Sequence, residues 1–342
     1  MKQRNSAFEL LRILSMVLII AHHFSVHGGF FFHSRSLTAN MLFLQLLSIG
    51  GKIGVNLFVL ISGYFTVVSE KWRPEKAAKL WLQILFYSLV IYLGSCAAGL
   101  TELTPMGLLY SFLPILSNQW WFASAWFVMY LLSPWLNRML KGLSRKHYSL
   151  LLGAGAFFFC VIPVLTWLPG RIRDVLWFVW LYALAGYLRL HGTAVKRPGA
   201  AALGSFLLTF GHSTVMLFFR TRTGGTYETV YYDMYHILIL VTSVLLFVAF
   251  SRLEIPGCRR INSLAEVSFG IYLIHDSNYL RYPLWQGLFR CASFRDSGWL
   301  LIYALVLTAA VYLVCGGLEA LRKKLLDRYF TGLAGKLTGK RT

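Results

Sequence analysis

The chain has 342 residues, of which 57% are hydrophobic, 16% aromatic and only 13% charged, with a formal net charge of +20. A mean hydropathy of +0.60 excludes a soluble domain. It also removes nucleic acid as the reason for the positive charge, since no soluble basic fold is there to present it. Apolar runs of about twenty residues recur along the sequence, each long enough to cross roughly 30 Å of hydrocarbon. A backbone in lipid must satisfy its own hydrogen bonds, so long unbroken runs mean helices. The expected fold is all-α, a polytopic integral membrane protein in which a single membrane-embedded domain fills residues 1–342 and ends in a short basic tail from about 320.

About ten spans are predicted in chain order, at 8–28, 43–66, 77–98, 120–140, 148–168, 174–191, 199–219, 234–251, 266–283 and 298–318. The stretch "TPMGLLYSFLPIL" (104–116) is too short to cross and carries two prolines, so it is expected to be interfacial or re-entrant. An even number of spans puts both termini on one side. On that side fall 24 of the 33 Lys and Arg residues, which marks it as cytoplasmic and suits contact with anionic headgroups. The N-terminus reads as a retained first helix, because histidines stand where a signal peptide would have small cleavage-site residues. The five cysteines (Cys96, Cys160, Cys258, Cys291, Cys315) form no CxxC and imply neither a disulfide framework nor a metal site.

The first span, "ELLRILSMVLIIAHHFSVHGG", holds an arginine and a histidine pair in an apolar run. On a helix, the eleven residues from Arg12 to His23 leave an angular offset of about 20° and a rise of about 16.5 Å. Arg12 therefore shares a face with His23, with Met16 and Ile19 between them and His27 continuing the stripe outward, while His22 points away. Glu9, three residues before Arg12, is placed to pair with it. A basic entrance, an apolar track and then an imidazole suit an anionic donor with a long thin arm and a reactive end, such as an acyl-coenzyme A. A histidine at that depth could take a proton from an incoming hydroxyl. The competing readings are an Arg12 that snorkels to the interface and a His23 that only hydrogen-bonds another helix.

"ELLRILSMVLIIAHH" resembles the first helix of the acyltransferase-3 family of bacterial membrane acyltransferases, whose signature is Arg, ten residues, then His. "GKIGVNLFVLISGYF" (51–65) resembles that family's second helix, "WWFASAWFVMYLLSPWLN" (120–137) its Leu-Ser-Pro segment, and "SFGIYLIH" (268–275) its late Tyr-Leu-x-His. The four blocks stand in family order. The resemblance implies an O-acyltransferase of the bacterial inner membrane without the extra esterase-like domain of many relatives. It would move an acyl group, commonly acetyl, from cytoplasmic acyl-coenzyme A to a hydroxyl of a cell-envelope polysaccharide or lipid-linked saccharide. By position, His23 would be the catalytic base and Arg12 would hold the donor. Where relatives carry paired arginines, this chain has "SEKWRPEKAAKLW", so the resemblance assigns the coenzyme's phosphates to this loop, with Arg73, Lys76 and Lys79 as candidates beside Lys71.

Other positions complete the expectations. Ser62 and Gly63 end the second span, where glycine serves close packing or a helix end and serine lacks the adjacent base a nucleophile needs. Lys52 is read as an interface anchor. His275 lies at a depth similar to His23, with Ser268, Tyr272, Tyr279 and Tyr282 near its face. It is either an interhelical hydrogen-bonder or a donor that orients the acceptor or the carbonyl, with Tyr272 in support. Arg171, Arg173, Arg220, Arg222, Arg281, Arg290 and Arg295, with Asp174, Glu228, Asp233 and Asp296, either grip an anionic glycan or form loop ion pairs. "TRTGGTYETVYYD" (221–233) is the expected acceptor platform. No metal is expected, because His22 and His23 diverge on a helix and no HExxH occurs; no cofactor is held permanently, and acetyl-coenzyme A is a donor substrate. The rival class is a glycan transporter or flippase using the same intramembrane polar groups, although the two repeated halves common in transporters are not evident.

Overall fold

The computed structural model describes residues 6–30, 37–69, 71–161, 170–222 and 233–339, and among them are twelve α-helices and no strand. Helix α1 (Ser6–His27) is the hub. Its buried residues include Leu11, Ser15, Met16, Ile19, Ile20, His23 and Phe24, which face the interior rather than lipid. Helix α2 (Ala39–Thr66) runs antiparallel along it: Ser25 donates to the Leu44 carbonyl, His22 reaches the Ser48 carbonyl, and Phe8 packs against Tyr64. The two axes come unusually close because a Cβ on Gly51 would stand 2.1 Å from that of His22. Small residues let membrane helices approach in this way.

On one flank, α3 (Pro74–Ala97) begins with proline at its first turn, where the missing N–H costs nothing. It leads to α4 (Pro105–Phe112), capped by the Thr104 hydroxyl. At about 12 Å, α4 cannot cross a bilayer, as the sequence predicted. On the other flank stand α5 (Trp121–Gly142), α6 (Arg145–Ala156) and α7 (Gly170–His191), with α5 and α7 packed together and α7 against α2. Residues 162–168 of the expected fifth span lie outside the described residues. Helices α8 (Pro198–Arg222) and α9 (Ile237–Ser251) pair with each other, and α9 also touches α1 and α2.

Two spans differ from expectation. Residues 266–283 are not one helix: α10 (Arg259–Glu266) is followed by α11 (Ser268–His275), which stops at its histidine. The Asp276 carbonyl, which a continuing helix would offer to residue 280, accepts instead from Arg281 Nη2 at 3.1 Å. The last helix, α12 (Leu300–Leu337), runs 38 residues where the sequence predicted a stop at 318 and a tail. Ion pairs hold the extension down: Glu319–Arg322 within α12, Lys79–Asp327 to α3 and Lys323–Glu266 to α10.

Among the described residues, five helices (α1, α2, α3, α8 and α12) are long and apolar enough to cross a membrane, against the ten spans expected. Helices α8 and α12 turn Leu203, Leu207, Phe219, Leu305, Val306 and Leu313 outward, an apolar exterior that suits lipid and not water.

Candidate active site

Five helices contribute to the site: α1, α2 and α5, with α3 and α11. At one end of the bundle α1, α2, α3 and α5 enclose, with the 71–76 segment, a cavity of about 690 Å³. Among the described residues its wall holds six cations (Arg12, Lys71, Arg73, Lys76, Arg138 and Lys141). Arg12 is held toward it by Glu9, whose Oε2 accepts from Nη1 at 2.5 Å. The Leu-Ser-Pro segment is legible here. Pro134 has no N–H to give the Tyr130 carbonyl, and the Ser133 hydroxyl donates to that carbonyl at 2.7 Å instead. Deeper in the bundle is a second cavity of about 30 Å³, lined by Met16, Ile19, His23, Val55, Phe58, Trp121, Phe122, Phe269 and Tyr272.

The two cavities are successive sections of one interhelical seam. On α1 the wall passes from Arg12 to Met16, on α2 from Ser62 to Phe58, and on α5 from Trp126 to Phe122. Each step is four residues, about one helical turn or 6 Å. Ser62 sits at the junction, donating to the Phe58 carbonyl at 2.8 Å and accepting from Trp126 Nε1 at 3.0 Å. Its hydroxyl hydrogen is thus committed. Gly63 serves packing, as expected: a Cβ there would lie 2.9 Å from that of Ala185 on α7.

At the inner end, geometry fixes a protonation pattern. The Ile271 carbonyl, 2.6 Å from His275 Nδ1, can only accept, so Nδ1 carries hydrogen. In the neutral ring Nε2 is then an acceptor, and it lies 2.9 Å from His23 Nδ1, which must donate. Nε2 of His23 is left with a lone pair. It stands 3.7 Å from Oδ1 of Asp276, as does Nε2 of His27. Asp276 is itself clamped by Arg281, whose Nε donates to Oδ1 at 2.8 Å.

Arg12, Met16, Ile19 and His23 share a face and line the two cavities in order, as the helical register predicted. Arg73 and Lys76 line the basic cavity. Lys79 does not: it points to α12, where it donates to Asp327 at 2.7 Å and Thr331 at 3.0 Å. His275 is fully buried with both nitrogens engaged, so it orients His23 and has no atom left to offer a substrate. Tyr272 beside it does line the inner cavity, and its buried hydroxyl lies near Asp276 and the Phe122 and Ala123 backbone. Lys52 is not an anchor at a helix start, since α2 begins at residue 39 and Lys52 pairs with Asp233 at 3.2 Å. Arg281 turns inward onto Asp276, and Arg295 pairs with Asp296 at 2.8 Å, so these two arginines form ion pairs and not an open grip. Most of the expected platform, residues 223–232, lies outside the described residues.

Asp276 was the residue missed, although a carboxylate directly after a buried histidine within an apolar run was a visible signal. His22 and His23 do diverge, yet His23, His27 and Asp276 bring three potential metal-ligating atoms within 4.8 Å of one another. The divergence of His22 and His23 therefore does not exclude a metal at this cluster, where Arg281 also donates to Asp276 Oδ1.

The family profile described as an acyltransferase domain, of the acyltransferase-3 family, matches residues 5–318. The chain belongs to that family and is an acyltransferase of the membrane. No match was found among curated proteins or among solved structures.

Proposed function

We propose that this acyltransferase moves an acetyl group from cytoplasmic acetyl-coenzyme A to a hydroxyl of a cell-envelope glycan or lipid-linked sugar, in the inner membrane of a bacterium. In this reading the chain crosses about ten times with both termini cytoplasmic, and the basic cavity opens to the cytoplasm. The coenzyme's phosphates meet Arg12, Arg73 and Lys76, joined by Lys71, Arg138 and Lys141; guanidinium and ammonium groups suit phosphate oxygens. The thin arm follows Met16 and Ile19 inward, so that the thioester lies at the inner cavity.

The observation that carries the proposal is the lone pair on His23 Nε2, fixed by the His275 relay at the end of a seam that begins with six cations. The acceptor hydroxyl gives its proton to that nitrogen as its oxygen attacks the thioester carbonyl. The C–O bond forms, the C–S bond breaks, and the proton passes from His23 to the leaving thiolate. The imidazolium that forms meanwhile has the Asp276 carboxylate 3.7 Å from its Nε2, and that negative charge lowers the cost of the cation. Tyr272 donates to the carbonyl oxygen as it gains charge, an oxyanion-hole role. An inner cavity of about 30 Å³ has room for a group little larger than one or two waters, which favours acetyl over a long acyl chain.

The test is coenzyme release from acetyl-coenzyme A with a crude envelope-glycan acceptor, using purified wild type and His23→Ala. The variant should lose about 10²-fold or more of turnover, the scale of general-base catalysis. Equal turnover would end the assignment of His23. No turnover in either protein would favour the transport reading of the same polar groups.

A further inference from the structure

Beside the basic cavity is another, of about 490 Å³, lined by Lys71, Trp72, Arg73, Pro74, Glu75, Thr338 and Gly339. It shares Lys71, Trp72 and Arg73 with the basic cavity, so this three-residue strap is the partition between them. Trp72 is 45% exposed. An interfacial tryptophan usually sits against headgroups; this one borders two protein cavities at once. Behind it, Pro74 fixes the start of α3, and the strap is tied at both ends, with the Ser69 hydroxyl donating to the Lys71 carbonyl at 3.0 Å and the Arg73 carbonyl accepting from Lys76 N at 3.0 Å. The far wall is the end of α12, brought here by its unexpected length.

The contents of the two cavities differ in kind. Among the described residues the first is lined by six cations and a stacked aromatic pair, Trp126 on Tyr130. The second has an indole face, two cations on the shared strap, and a carboxylate, Glu75, on its wall. A phosphate belongs in the first. A flat heteroaromatic ring suits the second, where the indole can stack on its face. We infer that the second cavity is the adenine subsite of the donor, with Trp72 as its stacking platform. Lys71 and Arg73 on the partition then meet the phosphates where the nucleotide bends from one cavity to the other. This rests on the proposed coenzyme donor and adds to it where the nucleotide half lies and which residue selects for it.

The experiment compares two donors on wild type and Trp72 variants: acetyl-coenzyme A, and acetyl-phosphopantetheine, which keeps the thioester arm and one phosphate but lacks adenosine. Base–aromatic stacking corresponds to roughly a ten-fold effect or more per base. Wild type should prefer acetyl-coenzyme A in kcat/KM, Trp72→Ala should lose about ten-fold of that preference, and Trp72→Phe should restore most of it. The loss should fall mainly on KM for the full donor. A Trp72→Ala protein with the wild-type preference, or one that loses both donors in equal proportion, would overturn the subsite. Wild type that turns over neither donor and binds no acetyl-coenzyme A would instead overturn the donor reading itself, and the subsite with it. Detergent-solution melting temperature of each variant separates a folding defect from a binding one.

Discussion

Nδ1 of His23 and Nε2 of His275 lie 2.9 Å apart, and the second ring has already committed its Nδ1–H to the Ile271 carbonyl at 2.6 Å. That order of donation leaves His23 with one available nitrogen and says which one it is. His275→Ala removes the acceptor and frees the His23 ring to take the other tautomer. Turnover should fall by about 10²-fold, with donor KM little changed. His275→Gln can place an amide oxygen near the lost nitrogen and should recover part of the rate. Wild-type kcat in His275→Ala would show that the relay does not orient the base.

The clamp behind the base makes a separate prediction. Asp276 and Arg281 form a pair that is 1% and 18% exposed. Breaking a buried pair from one side typically costs about 3–5 kcal/mol, because the other charge stays behind. Asp276→Asn should therefore lower both melting temperature and activity. The double variant Asp276→Asn, Arg281→Gln should regain most of the stability and none of the rate. Recovery of both together would make the pair purely architectural.

Much of this site was legible in the first helix. The period of an α-helix alone put Arg12, Met16, Ile19 and His23 on one face, and the two cavities are lined in that sequence. What failed to show was tertiary. Lys79 carries the same charge as Lys76 three residues earlier, but α12 runs far enough to offer it Asp327, and hydropathy does not report a helix that continues past its apolar part. Arg281 reads in the sequence as one of the outer-loop arginines; the break after His275 turns it back onto Asp276. Arg138 and Lys141 entered only the charge count that sets orientation, yet they also line the basic cavity.

The split between Lys76 and Lys79 can be measured directly. Removing Lys76 or Arg73 should raise donor KM by about ten-fold, as loss of a charge-assisted hydrogen bond does. Lys79→Ala should change it less than two-fold, since that ammonium is held by Asp327 and exposed pairs contribute little. Donor KM in wild type should also rise with ionic strength. Equal KM effects at positions 76 and 79 would contradict the cavity wall drawn here.

The helix that carries His275 depends on a glycine. A Cβ on Gly270 would lie 2.4 Å from the Glu319 carboxyl carbon. That carboxylate accepts from Arg322 at 2.7 Å through both oxygens, from Tyr87 at 2.7 Å and from Gln83 at 3.1 Å. The cluster ties α3, α11 and α12 together. Gly270→Ala must displace it and should cost about 1–3 kcal/mol, the scale of overpacking. Glu319→Gln, which keeps the volume and drops the charge, should destabilise too by stranding Arg322. A fully stable Gly270→Ala protein would mean that α11 can shift without loss.

If the thioester lies where proposed, the inner cavity limits the size of the acyl group. Met16, Phe58, Phe122 and Phe269 close it around His23, and its volume is about 30 Å³. Each methylene beyond acetyl must displace one of these side chains, and a hydrophobic pocket discriminates by about 1–3 kcal/mol per methylene. Wild type should therefore use butyryl-coenzyme A far less well than acetyl-coenzyme A. Met16→Ala and Phe122→Ala enlarge the cavity from two different helices and should each shift the preference toward butyryl, through gain on the longer donor as well as loss on the shorter. Shortening Leu203, which faces outward on α8 with 60% exposure, should leave the ratio alone. If the wall variants keep the wild-type ratio of acetyl to butyryl transfer, the acyl group does not occupy this cavity, and the thioester must be sought elsewhere along the seam.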